Sequence, residues 1–247
     1  PGDGGGTAAP RRDLCAGLCL GFLALRPQFV LLPLAALLLS RRTAALGLII
    51  SGAGLAALSI AVVGWRGAVG YIDLWRLYGA ASPFHTGIAP KVMFNIRGAL
   101  LRFAPDLSSA AEFRIVVSLS AALALIALTA AARGTTFRSR PDLAFSLILL
   151  VSLLTSYHTH QQSMVFLFIP LAVFLGRAFG ERAAPRETIA FGSAAAALHG
   201  ASMLSLEVFR QTTVTFAAFA VVLLLLRELR AQPGTAVPAE PSPPPGA

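Results

Sequence analysis

Arg26 stands in the middle of an otherwise apolar stretch, 14–39, directly before Pro27 and two residues before Gln28. A charge placed this way is rare. It faces protein or a wet cavity and marks a binding site or a relay. The plain alternative is an arginine that snorkels from a helix end. Pro27 favours the binding role, because it breaks the helix and frees backbone groups that need partners. A second pattern is His158-Thr159-His160 in the polar turn 157–162. Residues two apart diverge on a helix and share a face on a strand. No third ligand of the right type stands nearby, so a metal pair is disfavoured. Binding of an anionic group and a simple polar turn both remain open for these histidines. A third set, Asp73, Lys91, Asn95 and Arg97, lies in the polar interval 64–114. By type alone, Asn95 and Arg97 are ordinary loop residues.

Other patterns are missing. There is no Gly-rich phosphate loop after a strand, no H-E-x-x-H, no G-x-S-x-G and no paired-carboxylate motif. No soluble nucleotide-binding domain, metal or cofactor is therefore expected. His199, alone in the apolar run 188–206, is expected to be a packed, hydrogen-bonded residue. Cys15 and Cys19, four apart, suit two neighbouring buried thiols rather than a disulfide framework.

Composition sets the elements that must hold these groups. The chain of 247 residues is 56% hydrophobic and 13% charged, with mean hydropathy +0.73. A soluble domain carries about 25% charged residues, so this chain belongs to the integral-membrane class. The net charge of +9 does not point to nucleic acid, because the cations sit in turns between apolar runs. Nineteen of the 20 cations are arginine.

The pattern predicts an all-α, multi-span transmembrane bundle of about 6–8 membrane segments with one long outer loop. Residues 1–13 read as a flexible Gly/Ala/Pro linker, 14–230 as the transmembrane domain with its outer loop at 64–114, and 231–247 as a disordered Pro-rich tail. The stretch 14–39 is either one span broken at mid-depth or a re-entrant hairpin with Arg26 at its tip. Gly17 and Gly21 give it a face for close helix packing. Spans are expected at 43–63, 115–132, 143–156, 163–176, 188–206 and 212–226. Within the outer loop, 65–78 reads as an interfacial helix with aromatic anchors and 95–103 as a second short helix. The turns at 41–42, 133–142, 177–187 and 227–230 hold ten arginines; the opposite short turns, 157–162 and 207–211, hold one. The positive-inside rule puts the arginine-rich set in the cytoplasm, so the long loop and the histidine turn share the outer face. The arms 143–156 and 163–176 are each about 21 Å long as helix, which sets the histidine turn below the outer interface.

Three segments together carry a family resemblance. The run 16–39, centred on Arg26-Pro27-Gln28-Phe29, resembles the "GLLLG…KPQ…LLPL" segment of glycosyltransferase family 87, with Arg26 at the family's usual lysine. Asn95-Ile96-Arg97-Gly98 resembles its "N-L-R-G" element. Ser156-Tyr157-His158-Thr159-His160-Gln161 resembles its "S-P-H-x-H-x-Y" turn, with Tyr157 in place of proline. The order and spacing match over roughly 14–230. The resemblance implies a GT-C type hexosyltransferase in the cell membrane, multi-pass and active on the extracytoplasmic face. It would move a sugar, typically mannose, from a polyprenyl-phosphate donor to a lipid-linked or glycan acceptor. It also implies donor-phosphate binding by Arg26, Gln28, Arg97, His158 and His160, with Asn95, Lys91 and Asp73 as outer-loop candidates. The catalytic acid of such enzymes lies in an early outer loop, so it is expected upstream of Pro1, and the fragment alone is expected to be inactive. The alternative is a non-enzymatic membrane transporter or lipid-binding protein, since broken helices and mid-depth charges also mark transporter sites. A weaker third reading is a structural partner subunit.

Overall fold

The computed structural model describes residues 8–80, 93–132, 140–156, 165–180, 185–203 and 210–230. Among these residues the chain is helical, with no strand. Helix α1 (Ala8–Cys19) passes into a 3-10 stretch (Leu20–Leu25), breaks at Arg26, and resumes as a short 3-10 turn (Pro27–Phe29) and α2 (Leu31–Ser40). Then follow α3 (Arg42–Ala80), α4 (Ile96–Phe103), α5 (Ser109–Ala132), α6 (Pro141–Thr155), α7 (Phe168–Phe179), α8 (Pro185–Met203) and α9 (Arg210–Arg230). The expected linker is thus helical from Ala8 onward. The Pro-rich tail, 231–247, lies outside the described residues.

The break at Arg26 follows from Pro27. A residue before proline is pushed out of the helical region, and Arg26 sits at φ −131°, ψ 81°. Its backbone groups are nonetheless satisfied, N–H donating to Leu23 O at 3.0 Å and carbonyl accepting from Phe29 N at 2.8 Å. Of the two readings of 14–39, the structure selects the hairpin. Arg41 Nη1 donates to Asp13 Oδ1 at 2.8 Å. On one straight helix these residues would be about 42 Å apart, so the chain must turn back between them. The tip of that turn is Arg26-Pro27-Gln28.

The rising arm of the hairpin lies against α3, and glycine is what lets it do so. A first side-chain carbon on Gly17 would lie 2.8 Å from the Ala44 carbonyl carbon, and one on Gly47 would lie 2.8 Å from Leu18 N. One on Gly21 would overlap the Ser51 side chain. These contacts advance together along both helices, so α1 and α3 run parallel, with α2 antiparallel between them in sequence. The expected small-residue face is therefore an interface. Gly17→Val is expected to destabilise the protein by about 2–3 kcal/mol, since the atoms it meets are backbone and cannot swing aside. Gly54→Ala, where nothing lies within 4 Å, should be neutral or stabilising by about 0.5–1 kcal/mol. Thermal unfolding of the two variants in detergent checks this; equal melting temperatures would contradict it.

This packing also corrects the expectation for the cysteines. Gly17 is buried against α3, whereas Cys15 and Cys19 point the other way and are exposed. Helix α3 bends at Gly64, whose φ of 74° and ψ of 165° suit glycine and no other residue. The 22 residues before the bend are about 33 Å long, near the thickness of a bilayer core. Residues 65–78, expected to form a helix, are the second limb of α3. The second short helix expected at 95–103 is α4.

Helix α6 is the centre of the bundle. Eleven of its 15 residues are buried, including the unbroken run from Ser146 to Leu154. A helix apolar on every side must be surrounded, and α2, α5, α7 and α9 pack around it. Its hydroxyls cost little, because Ser146, Ser152 and Thr155 each donate to the carbonyl four residues earlier at 2.8 Å. Phe174 and Phe191 stack with centroids 5.9 Å apart, joining α7 to α8. Helices α3 and α5 are long and apolar enough to cross a membrane, over Arg42–Leu74 and Ser109–Ala130, and only 11% of each apolar window is buried. The stretches Pro27–Ser40, Pro141–Thr155 and Val165–Phe179 are apolar but shorter.

Three ion pairs lie at one end of the bundle. Besides Asp13–Arg41, Arg177 holds Asp142 through two hydrogen bonds of 2.8 and 2.9 Å, tying the start of α6 to the end of α7. Arg186 holds Glu228 at 2.9 Å, tying the start of α8 to the end of α9. Half-burial raises the Asp142 carboxyl, but the hydrogen bonds and charge of Arg177 outweigh it and hold the group below the usual carboxylate range. Arg177 is in turn pushed up by the same bonds. Both groups therefore stay ionised at neutral pH.

Candidate functional site

At the other end, the hairpin tip, Asn95 and Ser156, the residue that precedes the histidine turn, come close together. Gln28, on the hairpin tip, lines a cavity of about 420 Å³ together with Ser156 at the end of α6. The rest of its wall comes from α2, α5 and α6, with Ser120, Ser152 and Thr155 as its other polar members among apolar residues such as Leu31 and Val116. Gln28 and Ser120 make no side-chain hydrogen bond among the described residues, and the Ser120 hydroxyl oxygen is fully enclosed.

Asn95 ties the second segment to the third. It is 0% exposed. Its amide nitrogen donates to Ser156 O at 2.6 Å, and its amide oxygen accepts from Gly98 N at 2.8 Å. The second bond is an N-cap on α4, which explains the asparagine by local structure. The first reaches 61 residues along the chain and fixes the carbonyl that precedes Tyr157. Asn95 is thus a positioning residue whose orientation is fully used.

Arg97, the second residue of α4, is held by Glu112 in the first turn of α5, Nε to Oε1 at 2.5 Å. Their side chains are 12% and 11% exposed. The pair closes the short connection between α4 and α5 like a clasp.

The hairpin also packs against Phe166. Phe29 meets Phe166 edge-on at 5.1 Å, and Phe22 stacks on the same ring at 6.0 Å. Ser156 is thus held by Asn95, and Phe166 by the hairpin. His158, His160 and Lys91 lie outside the described residues. Arg26 is half-buried at the tip, and its side chain has no hydrogen bond or ion pair among the described residues; it is not among the residues that line the cavity. Asp73 is exposed on the second limb of α3, and it does not line the cavity. His199, expected to be packed, is exposed on α8, because the buried face of that helix runs through Phe191, Ala194, Ala195 and Leu198.

Residue types alone did not single out Ser120, Ser152, Thr155 and Glu112. The hydroxyls leave a weak trace in the sequence, as polar residues inside apolar runs, at 118–120 and 152–156. The partner of Arg97 leaves none, since a separation of 15 residues says nothing until the two helices are known to fold back. Comparison with protein families, characterised proteins and solved structures finds no match for this chain.

Proposed function

We propose that this chain builds the donor site of an integral membrane hexosyltransferase. The enzyme moves a sugar, mannose by the family resemblance, from a polyprenyl-phosphate donor to a lipid-linked or glycan acceptor on the outer membrane face. One observation carries this: Gln28 of the hairpin tip and Ser156, the first residue of the third segment, line a single cavity, and Asn95 of the second segment is bonded to Ser156, although these residues stand 60 to 130 apart in the chain. The same three segments carry the resemblance to glycosyltransferase family 87.

The membrane setting has its own support. Apolar side chains such as Leu31, Leu39, Val62 and Leu125 cover the outside of the bundle, as lipid requires. The ion pairs mark the arginine-rich end, which the positive-inside rule assigns to the cytoplasm. From there, the 15 residues of α6 rise about 22 Å. The second hairpin arm, and the first counted from Asp13, rise by a similar distance with the steeper pitch of their 3-10 portions. The cavity mouth then lies recessed below the outer surface of a core roughly 30 Å thick, a depth suited to a lipid-linked donor.

In the transfer step, the acceptor oxygen forms a bond to the anomeric carbon and the bond from that carbon to the phosphate oxygen breaks. The leaving polyprenyl phosphate keeps the electron pair, and a carboxylate base takes the acceptor proton. No carboxylate is among the cavity's lining residues, so the base belongs to another part of the enzyme. What these residues supply is charge and hydrogen bonding for the departing phosphate: Arg26, Gln28 and the histidine turn directly, with Arg97 beside them.

The test is transfer of labelled mannose from polyprenyl-phosphate mannose in membranes expressing the whole gene. Arg26→Ala is expected to lower transfer on the order of 10²-fold, the usual effect of removing one donor to a developing anion, with membrane content unchanged. Loss of uptake of a solute with unchanged glycolipids would instead establish a transporter.

A further inference from the structure

A second recess lies at the opposite end of the molecule, between α5 and α9. It encloses about 550 Å³ and is lined by Ile126, Leu223, Leu226, Arg227 and Arg230. Residues 223, 226, 227 and 230 follow the three- and four-residue spacing of one helical face. They form a stripe about 10 Å long, apolar at its outer-facing end and doubly cationic at the other. Leu223 and Ile126 are exposed at 65% and 42%, so the apolar walls stand open. Both arginines are exposed and have no hydrogen bond or ion pair among the described residues. Glu228, which would repel an anion here, is already held by Arg186.

We propose that this groove binds one anionic phospholipid of the inner leaflet, with Arg227 and Arg230 gripping its phosphate and the start of its acyl chains lying along Leu223, Leu226 and Ile126. The site rests on the membrane setting inferred above, and not on the transfer reaction. The charge is complementary, because the cytoplasmic leaflet carries anionic headgroups and α9 ends at the arginine-rich side. Two guanidinium groups one turn apart can meet a phosphate diester from two sides. Stabilisation of the α9 C-terminus by its arginines would account for the charges. It would not account for an open apolar recess placed directly behind them.

Native mass spectrometry of the full protein in detergent tests the site, with dioleoyl phosphatidylglycerol titrated against dioleoyl phosphatidylcholine and against glycerol 3-phosphate. The wild-type protein should retain phosphatidylglycerol selectively, and glycerol 3-phosphate should not displace it. Arg227→Gln/Arg230→Gln should weaken that retention by about 30-fold, from roughly a fivefold loss per cation. Arg11→Gln/Arg12→Gln removes the same charge from exposed positions on α1 and should stay close to wild type. Leu223→Glu, at an exposed position that carries no folding load, should weaken retention without unfolding the protein. Equal losses in the two arginine pairs, or no loss with Leu223→Glu, would overturn the site. Displacement by glycerol 3-phosphate would make it a free-anion site and overturn the lipid assignment. Resistance of the wild-type protein to alkaline carbonate extraction separates this from the membrane setting. Release into the supernatant would overturn both, whereas a protein that stays in the pellet yet shows no selectivity would overturn the groove alone.

Discussion

Replacing Glu112 with leucine is expected to destabilise the protein by about 3–5 kcal/mol, the usual cost of removing one partner from a buried ion pair. Both side chains of the Arg97–Glu112 pair are nearly nine-tenths buried, so water cannot take over the role of the missing carboxylate. Arg97→Met should cost a similar amount, because it leaves Glu112 charged in the same place. The double change, Arg97→Met with Glu112→Leu, should recover most of the loss. Two apolar side chains can fill the space without an unpaired charge. A double-mutant cycle on thermal unfolding in detergent reads the coupling directly. Losses of under 1 kcal/mol in both single variants would mean that the pair is effectively exposed. The cycle also separates structure from binding. If Arg97 shares its guanidinium with a donor phosphate, the double variant should regain stability but not transfer.

The sequence made the helices legible because apolar run length and Pro, Gly and Arg punctuation are local signals. The predicted helix at 65–78 and the short helix at 95–103 appear as the second limb of α3 and as α4. Several span edges moved, some by a single residue and one by six. Helix α5, for example, starts at Ser109 rather than 115, because Ser108 and Glu112 suit a helix N-terminus although they are not apolar. The direction of Cys15, Cys19 and His199 was not legible. Whether a helix face meets protein or the outside depends on its neighbours, and hydropathy in a membrane chain is similar on both faces. For the same reason the fate of 14–39 needed Asp13 and Arg41 to be seen together. The convergence at the cavity was legible only as three separate motifs, since no local pattern states that residues 28, 95 and 156 are neighbours.

Asn95→Ala is expected to cost about 2–4 kcal/mol. Loss of the cap on α4 contributes roughly 1 kcal/mol. The stranded Ser156 carbonyl, buried with its residue, contributes about 1–3 kcal/mol more. The effect should also be local. Hydrogen exchange should rise at the start of α4 and in the last turn of α6, and stay unchanged near Asp142, about 20 Å away along the helix. Asn95→Asp tests the two bonds separately. Its carboxylate keeps an acceptor for Gly98 N, but it sets an oxygen against the Ser156 carbonyl where the amide nitrogen had donated. At neutral pH it should therefore be at least as destabilising as alanine, despite keeping the cap. Asn95→Ser can keep the cap but is too short to reach Ser156, so it should fall between wild type and alanine. If aspartate instead matched wild type, the cap alone would explain Asn95, and the 61-residue link to the histidine turn would carry no weight. If aspartate is worse than alanine, the link to Ser156 carries weight of its own. On the proposed function, transfer should then fall in Asn95→Asp even at temperatures where the protein remains folded, because the groups proposed to meet the phosphate would no longer be held in place.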